Sequence, residues 1–195
     1  MDELSKKENE KESFFGELFR LPVLAIIVVL PIRLYIAQPF IVNGASMDPT
    51  FDTGQYLIVD QISYRFEKPK RGEVIIFYFP DDTSKFFIKR IIGLPEETVT
   101  IKRGEVSITS VSGRNISLDE PYIAPENASD NTLAVRLAEN EYFVMGDNRE
   151  SSSDSRVGGS LPKELIVGRV FARLFPPTRA GIFPGSYDYD KESDK

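Results

Sequence analysis

The chain has 195 residues, a net charge of −6 and 41% hydrophobic residues, enough for one domain with a core and an appendage. Its acidic balance, without any basic stripe, argues against a nucleic-acid partner, because a phosphate-binding face needs a basic excess. With no histidine and no cysteine, a Ser-His-Asp triad, thiol nucleophiles, disulfides and thiolate metal sites are excluded, no EF-hand-like loop occurs, and no metal or other cofactor is expected.

The first 16 residues, MDELSKKENEKESFFG, are mostly charged and read as a solvated segment. Leu21 to Ile32 is then an uncharged run of 12 residues, a length shared by core helices and by the apolar part of a cleavable signal peptide. Extended from Leu18 to Ala37 it makes 20 residues, roughly 30 Å of helix, enough to cross a bilayer with Arg20 and Arg33 near the two faces. Arg33 would snorkel, and Tyr35 and Phe40 would lie at the interface. A removed signal peptide is the alternative, but RLYIAQPF offers no good cleavage site, so an uncleaved transmembrane anchor over residues 18–38 is favoured. Lys6, Lys7, Lys11 and Arg20 precede it, and no Lys or Arg occurs between Arg33 and Arg65. This places residues 1–17 in the cytoplasm and the C-terminal domain outside.

From residue 55 the chain reads as short strands: QYLIVDQIS, EVIIFYFP, KFFIKRIIG, TVTIKRGEVSITS, EYFVMGD and IVGRVFARLF. They alternate, or run apolar for four to eight residues, between Gly, Pro, Asp and Asn breaks. The fold class expected is mainly β, an antiparallel domain over 39–178 with a hairpin turn at Gly104. Residues 179–195, ending in SYDYDKESDK, are expected to be an acidic disordered tail.

Three stretches carry candidate chemistry. NGASMDPTF, residues 43–51, places Ser46 behind two small residues, as in a tight exposed turn, or simply as a turn serine. Without histidine its proton needs another base, and a lysine serves only if burial populates its neutral form. Lys89 fits best, flanked by Phe86, Phe87, Ile88, Ile91 and Ile92; on a strand it shares a face with Phe87 and Ile91 while Arg90 points away. An exposed Lys-Arg pair on an edge strand remains the alternative. GDNRESSSDSR, residues 146–156, is a polar loop that delivers hydroxyls and carboxylates to one place, or a hydrophilic turn.

In this order after one N-terminal anchor, SMDPTF, KRIIGLP and GDNRESSSDSR closely resemble the motif set of bacterial type I signal peptidases, also called leader peptidases. The resemblance extends to IRLYIAQPFIV, TGQYLIVDQISY, KRGEVIIFYFP, DEPYI and VGRVFARLFP, nearly all of residues 18–175. It implies that Ser46 is the nucleophile, Lys89 the general base and Ser152 the hydroxyl that orients the lysine amine. Gly146, Asp147, Arg149, Asp154 and Arg156 would brace the loop, and Phe40, Val42, Met47, Phe51, Leu57, Phe87 and Ile88 would line pockets for small side chains. Gly44 stands where many Gram-negative members carry a serine, Gln55 where an aspartate is usual, and Glu150-Ser151 where Asp-Asn is common. The span from Lys89 to Gly146 is short for the family, which implies a reduced second β-subdomain at about 98–140.

The implied function is removal of N-terminal signal peptides from exported preproteins at the outer face of the bacterial plasma membrane, with preproteins and the lipid bilayer as partners. The substrate would bind extended, at the sheet edge near PFIV and FFIK. Self-cleaving SOS-type repressors share the Ser/Lys dyad and β-fold but carry a DNA-binding domain that this chain lacks. A catalytically dead tethered β-module is the remaining class, and activity compared between wild type and Ser46→Ala separates it.

Overall fold

The computed structural model describes residues 37–189, together with Arg20, residues 22–24, Ile27 and Val29. These N-terminal residues are helical, and Val23, Leu24, Ile27 and Val29 expose their apolar side chains. Among the described residues no helix is long and apolar enough to cross a membrane. Most of the anchor expected over 18–38 lies outside the described residues. Its C-terminal end is corrected: Ala37 and Gln38 are strand residues. Pro39 accounts for this, because its ring disfavours the α conformation for the residue before it.

The chain divides into residues 1–38 and 39–195. In chain order the strands are β1 (Ala37–Ile41), β2 (Tyr56–Asp60), β3 (Val74–Phe79), β4 (Asp82–Gly93), β5 (Thr98–Lys102) and β6 (Glu105–Thr109). They continue with β7 (Asn115–Ser117), β8 (Leu133–Arg136), β9 (Glu141–Met145), β10 (Leu161–Pro162), β11 (Ile166–Phe175) and β12 (Gly181–Ile182). The larger sheet runs β1-β2-β11-β3-β4-β9-β10, with β12 paired to β11, and the smaller runs β7-β6-β5-β8. β2–β11, β11–β3, β3–β4 and β4–β9 are antiparallel.

β3 shows why its sequence is an unbroken apolar run: both faces are covered. Val74 and Ile76 join Ile88, Leu57 and Val170 in one core, whereas Ile75 and Phe77 join Ile91, Tyr142 and Val144 in another. A third core, built from Ile92, Phe143 and Met145 with Val99, Ile101, Val106 and Ile108, lies under the smaller sheet. The β5–β6 turn has positive φ at both Arg103 and Gly104, the two-residue hairpin that the strand twist favours. Sequence patterning does not find β7, β8, β10 or β12. They are two to four residues long, and pairing rather than local propensity makes them strands.

The expected disordered tail is also corrected as far as Tyr189. β12 pairs with β11 in the register Ala172↔Ile182, Phe183 N–H donates to Phe171 O at 2.7 Å, and Tyr187 N–H donates to Gly72 O at 3.1 Å. The Tyr187 ring meets those of Tyr122 and Tyr189 edge-on. These partners are distant in sequence, so the local acidic composition does not reveal them. Residues 190–195 lie outside the described residues.

Candidate active site

Ser46 sits, partly exposed, in the loop between β1 and β2. The base of the loop is closed by Val42 N–H to Gln55 O and Gly54 N–H to Val42 O. Met47 and Phe51, 1% and 0% exposed, anchor it in the core, and Phe51 N–H donates to Met47 O. Gly44 adopts φ +99°, a conformation that favours glycine, and its N–H and C=O both bond the Thr53 hydroxyl.

Lys89 lies on β4, an interior strand between β3 and β9, so the exposed edge-strand alternative fails. Its side chain, paired across from Ile75, is 3% exposed. Nζ is 2.7 Å from Ser46 Oγ and 2.9 Å from Ile88 O, and stands 5.3 Å from the Phe87 ring centre. Burial pulls the Lys89 pKa down to about 8; the Asp154 and Asp147 carboxylates oppose that fall, and Arg156 adds to it. A free lysine is neutral in well under ~1% of molecules at pH 8. This one is close to half neutral there.

The loop after β9 is held by charges that lie almost wholly inside. The buried Asp147 carboxylate takes two parallel hydrogen bonds from Arg90, at 2.9 and 2.7 Å, and one from the Thr50 hydroxyl at 2.5 Å. Asp154 accepts from Gly146 N–H at 3.0 Å and pairs with Arg156 at 2.8 Å. Burial raises the Asp154 pKa, but its hydrogen bonds, Arg156 first, outweigh that and leave it below the usual carboxylate range. Arg149 donates to Gly146 O and pairs with Glu120, and Arg156 donates to Arg149 O. Asn148 N–H donates to Ser46 O at 3.1 Å, tying this loop to the Ser46 loop. All five expected bracing residues therefore lie in one network. Sequence reasoning missed Arg90, Thr50, Glu120 and Asn127; the last links both loops by donating to Asp48 O and accepting from Arg149 N–H. For Arg90 the one available signal was an arginine within an apolar strand.

A cleft of about 460 Å³ opens over Ser46 and Lys89. Phe40, Val42, Leu57, Phe87 and Ile88 line it, and Ile41, Ile76 and Phe86 join them unexpectedly. Met47 and Phe51 do not line it. They face the core behind the loop, where the Arg173 guanidinium covers the Phe51 ring at 5.2 Å. Phe40 and Phe86 meet edge-on at 5.1 Å between centroids, which brings β1 and β4 together at the cleft.

Ser152 is placed differently from expectation. Ser151 and Ser153 face the cleft, while Ser152 Oγ is buried without a hydrogen bond of normal geometry and does not bond Lys89. It lies near enough to the Asp154 carboxylate to favour its charged form. The loop turns alternate serines to opposite sides, and the middle one packs against Gly146. Among the described residues no group of three or more acidic side chains is placed to hold a metal ion.

Residues 15–175 match the family described as "Signal peptidase, peptidase S26". The "Probable signal peptidase I-2" of Synechocystis sp. is 39% identical over 183 residues, covering 91% of this chain and 81% of that protein. "Probable signal peptidase I-1" of the same organism is 38% identical, over 90% of each chain. The signal peptidase I of Bacillus licheniformis is 34% identical, over 88% of this chain and 94% of that one.

Proposed function

Because the chain belongs to the signal peptidase family, peptidase S26, we infer that it is a serine endopeptidase that removes N-terminal signal peptides from preproteins, with Ser46 as nucleophile and Lys89 as general base. The observation that carries these roles is the 2.7 Å contact between Ser46 Oγ and a buried lysine amine. Proximity and a pKa near the working pH are what a general base requires.

Neutral Lys89 takes the proton from Ser46 Oγ as that oxygen adds to the scissile carbonyl carbon. The negative charge that develops on the carbonyl oxygen falls to the Ser46 backbone N–H, since Gly44 offers no hydroxyl. The C–N bond then breaks as the Lys89 ammonium protonates the leaving amine, and the substrate remains as an ester on Ser46. A water molecule, deprotonated by Lys89, adds to the ester and releases the acid and the free serine. Asp147, Arg149, Asp154 and Arg156 keep the loop in place during these steps, and Phe40, Val42, Leu57, Phe87 and Ile88 form walls for small side chains. The family's pattern assigns the orientation of the lysine amine to Ser152, a contact that its buried Oγ does not make here.

The apolar segment after Leu18 anchors the chain in the bacterial plasma membrane, with residues 1–17 cytoplasmic and the catalytic domain from Pro39 outside. The basic residues before that segment support this orientation. The smaller sheet, within 98–140, corresponds to a reduced second subdomain.

The test is cleavage of a preprotein by detergent-solubilised wild type, Ser46→Ala, Lys89→Ala and the double variant. Both single variants should lose cleavage while staying folded, and the double variant should be no slower than either. A double variant much slower than both would mean that the two residues do not act as one unit.

A further inference from the structure

The family match ends at Phe175, yet residues 176–189 run back across the site from behind. Arg179 pairs with Asp52 and donates to Pro49 O at 3.0 Å. Arg173, whose Nε donates to Arg179 O at 2.8 Å, reaches Thr50 O and Gln55 Oε1, both at 2.9 Å. Two carbonyls just after the nucleophile are thus held by arginines of the C-terminal hairpin. Gln55, in place of the usual aspartate, accepts from Arg173 and donates to Asp52 at 2.9 Å.

Farther along, Gly185 packs onto the same loop. With φ +75°, it lies so close that a Cβ would stand 2.4 Å from Thr50 Cγ2 and 3.0 Å from the Phe51 ring. Gly185 O accepts from Arg90 Nη1, which also donates to Gly72 O. Tyr187 N–H donates to that same Gly72 O, and Tyr189 and Tyr122 share a hydroxyl hydrogen bond of 2.7 Å. The Tyr122 ring lies 3.7 Å from the Arg90 guanidinium. The segment therefore grips both groups that hold Asp147: Thr50 on one side and Arg90 on the other. None of residues 176–189 lines the cleft.

We propose that residues Arg179 to Tyr189 form a positioning strap, outside the family match, that sets the Ser46 loop and the Asp147 carboxylate in register with Lys89 and so governs turnover without touching substrate. The strap acts through Thr50 and Arg90. Because it lies behind the loop, its loss leaves the cleft walls intact and displaces the reacting oxygen from the amine. A misplacement of about 1 Å at a reacting atom can cost on the order of 100-fold in rate.

The inference rests on the Ser46–Lys89 reading, so the experiment checks both separately. Full-chain wild type, Ser46→Ala, Gly185→Ala and a chain ending after Ser186 are assayed in detergent on one preprotein. Active sites are counted by titration with a serine-acylating inhibitor. Gly185→Ala and the shortened chain should each lose roughly tenfold or more in kcat per titrated site, with KM within about twofold of wild type, as expected when an interaction made only on the way to the transition state is removed. Unchanged kcat per site in Gly185→Ala, or an effect confined to KM or to the number of titrated sites, would overturn the strap, and Gly185→Ala decides if the shortened chain does not fold. An inactive wild type, or an active Ser46→Ala, would instead refute the catalytic reading and the strap with it.

Discussion

Gly146 stands so close to Ser46 that a Cβ at position 146 would come within 2.3 Å of the Ser46 carbonyl oxygen and within 2.3 Å of Ser152 Oγ. The end of β9 is docked directly against the Ser46 loop, and only a residue without a side chain fits. Gly146→Ala is expected to push the loop outward and lower kcat/KM by on the order of 100-fold. The fold should persist, because Asp154 and Arg149 still satisfy the Gly146 N–H and C=O. Kinetics alongside a thermal melt check this, and activity within about threefold of wild type would show that the two loops are not rigidly docked.

The rate should rise with pH. Neutral Lys89 is the reactive form, and burial brings its pKa to about 8. In kcat/KM the ascending limb reports the free enzyme, so activity should climb through pH 8 and level off above it. A limb in the carboxylate range, flat from there upward, would rule out a lysine base.

The same burial costs stability, and its sign can be worked out. Lys89 binds its proton less tightly in the folded chain than in the unfolded one, so its contribution to stability rises with pH between about 8 and 10.5 and is constant outside that window. Over the gap from 10.5 to about 8 the penalty below pH 8 is about 3 kcal/mol. Lys89→Met should therefore unfold at higher denaturant concentration than wild type at pH 7, with the advantage shrinking as pH approaches 10.5. An advantage that grows with pH would contradict a buried, depressed lysine.

The three serines of the loop should separate. Ser152 Oγ makes no hydrogen bond of normal geometry and only a weak interaction with Asp154, so Ser152→Ala should lower the thermal midpoint only slightly. On the proposed reading, in which the Ser152 hydroxyl orients the lysine amine, kcat should fall. Ser151→Ala and Ser153→Ala, at the cleft wall, should act mainly on KM. Equal effects of all three on kcat would remove any special role for Ser152.

A preference for small side chains at the substrate residues one and three places before the cleaved bond (−1 and −3), which the family resemblance implies, should depend on the cleft walls and not on Phe51. One methylene in a snug apolar pocket is worth about 1–3 kcal/mol, or roughly 10- to 200-fold in kcat/KM. Leu57→Ala or Ile88→Ala should admit larger side chains at the cost of that discrimination. Phe51→Leu, in the core behind the loop, should lower stability and leave the ranking of Ala over Val and Leu unchanged. A peptide series varied at −1 decides between them.

Local sequence carried much of the chemistry of single residues. Phe86, Phe87, Ile88, Ile91 and Ile92 around Lys89 made it a candidate for a buried lysine with a usable neutral form, but the same stretch also read as an exposed Lys-Arg pair until β4 proved to be an interior strand. With no histidine in the chain, a serine nucleophile needs such a base. Alternation, apolar runs and turn residues placed β2, β3, β4, β5, β6, β9 and β11, since backbone preference and apolar periodicity act within a few residues.

Tertiary structure decided what those residues meet. Ser46 and Lys89 are 43 positions apart, and their 2.7 Å contact exists because β4 is an interior strand and the β1–β2 loop is anchored by Met47 and Phe51. The family resemblance made Phe51 and Met47 candidates for the cleft, yet both are taken up by the core, since hydrophobicity specifies removal from water and not the neighbour that excludes it. Tyr187 and Tyr189, read locally as part of an acidic tail, are ordered by Gly72 and Tyr122, partners supplied by distant parts of the chain. Strand register and loop closure bring such groups together, and those depend on pairings across the whole domain that no short stretch encodes.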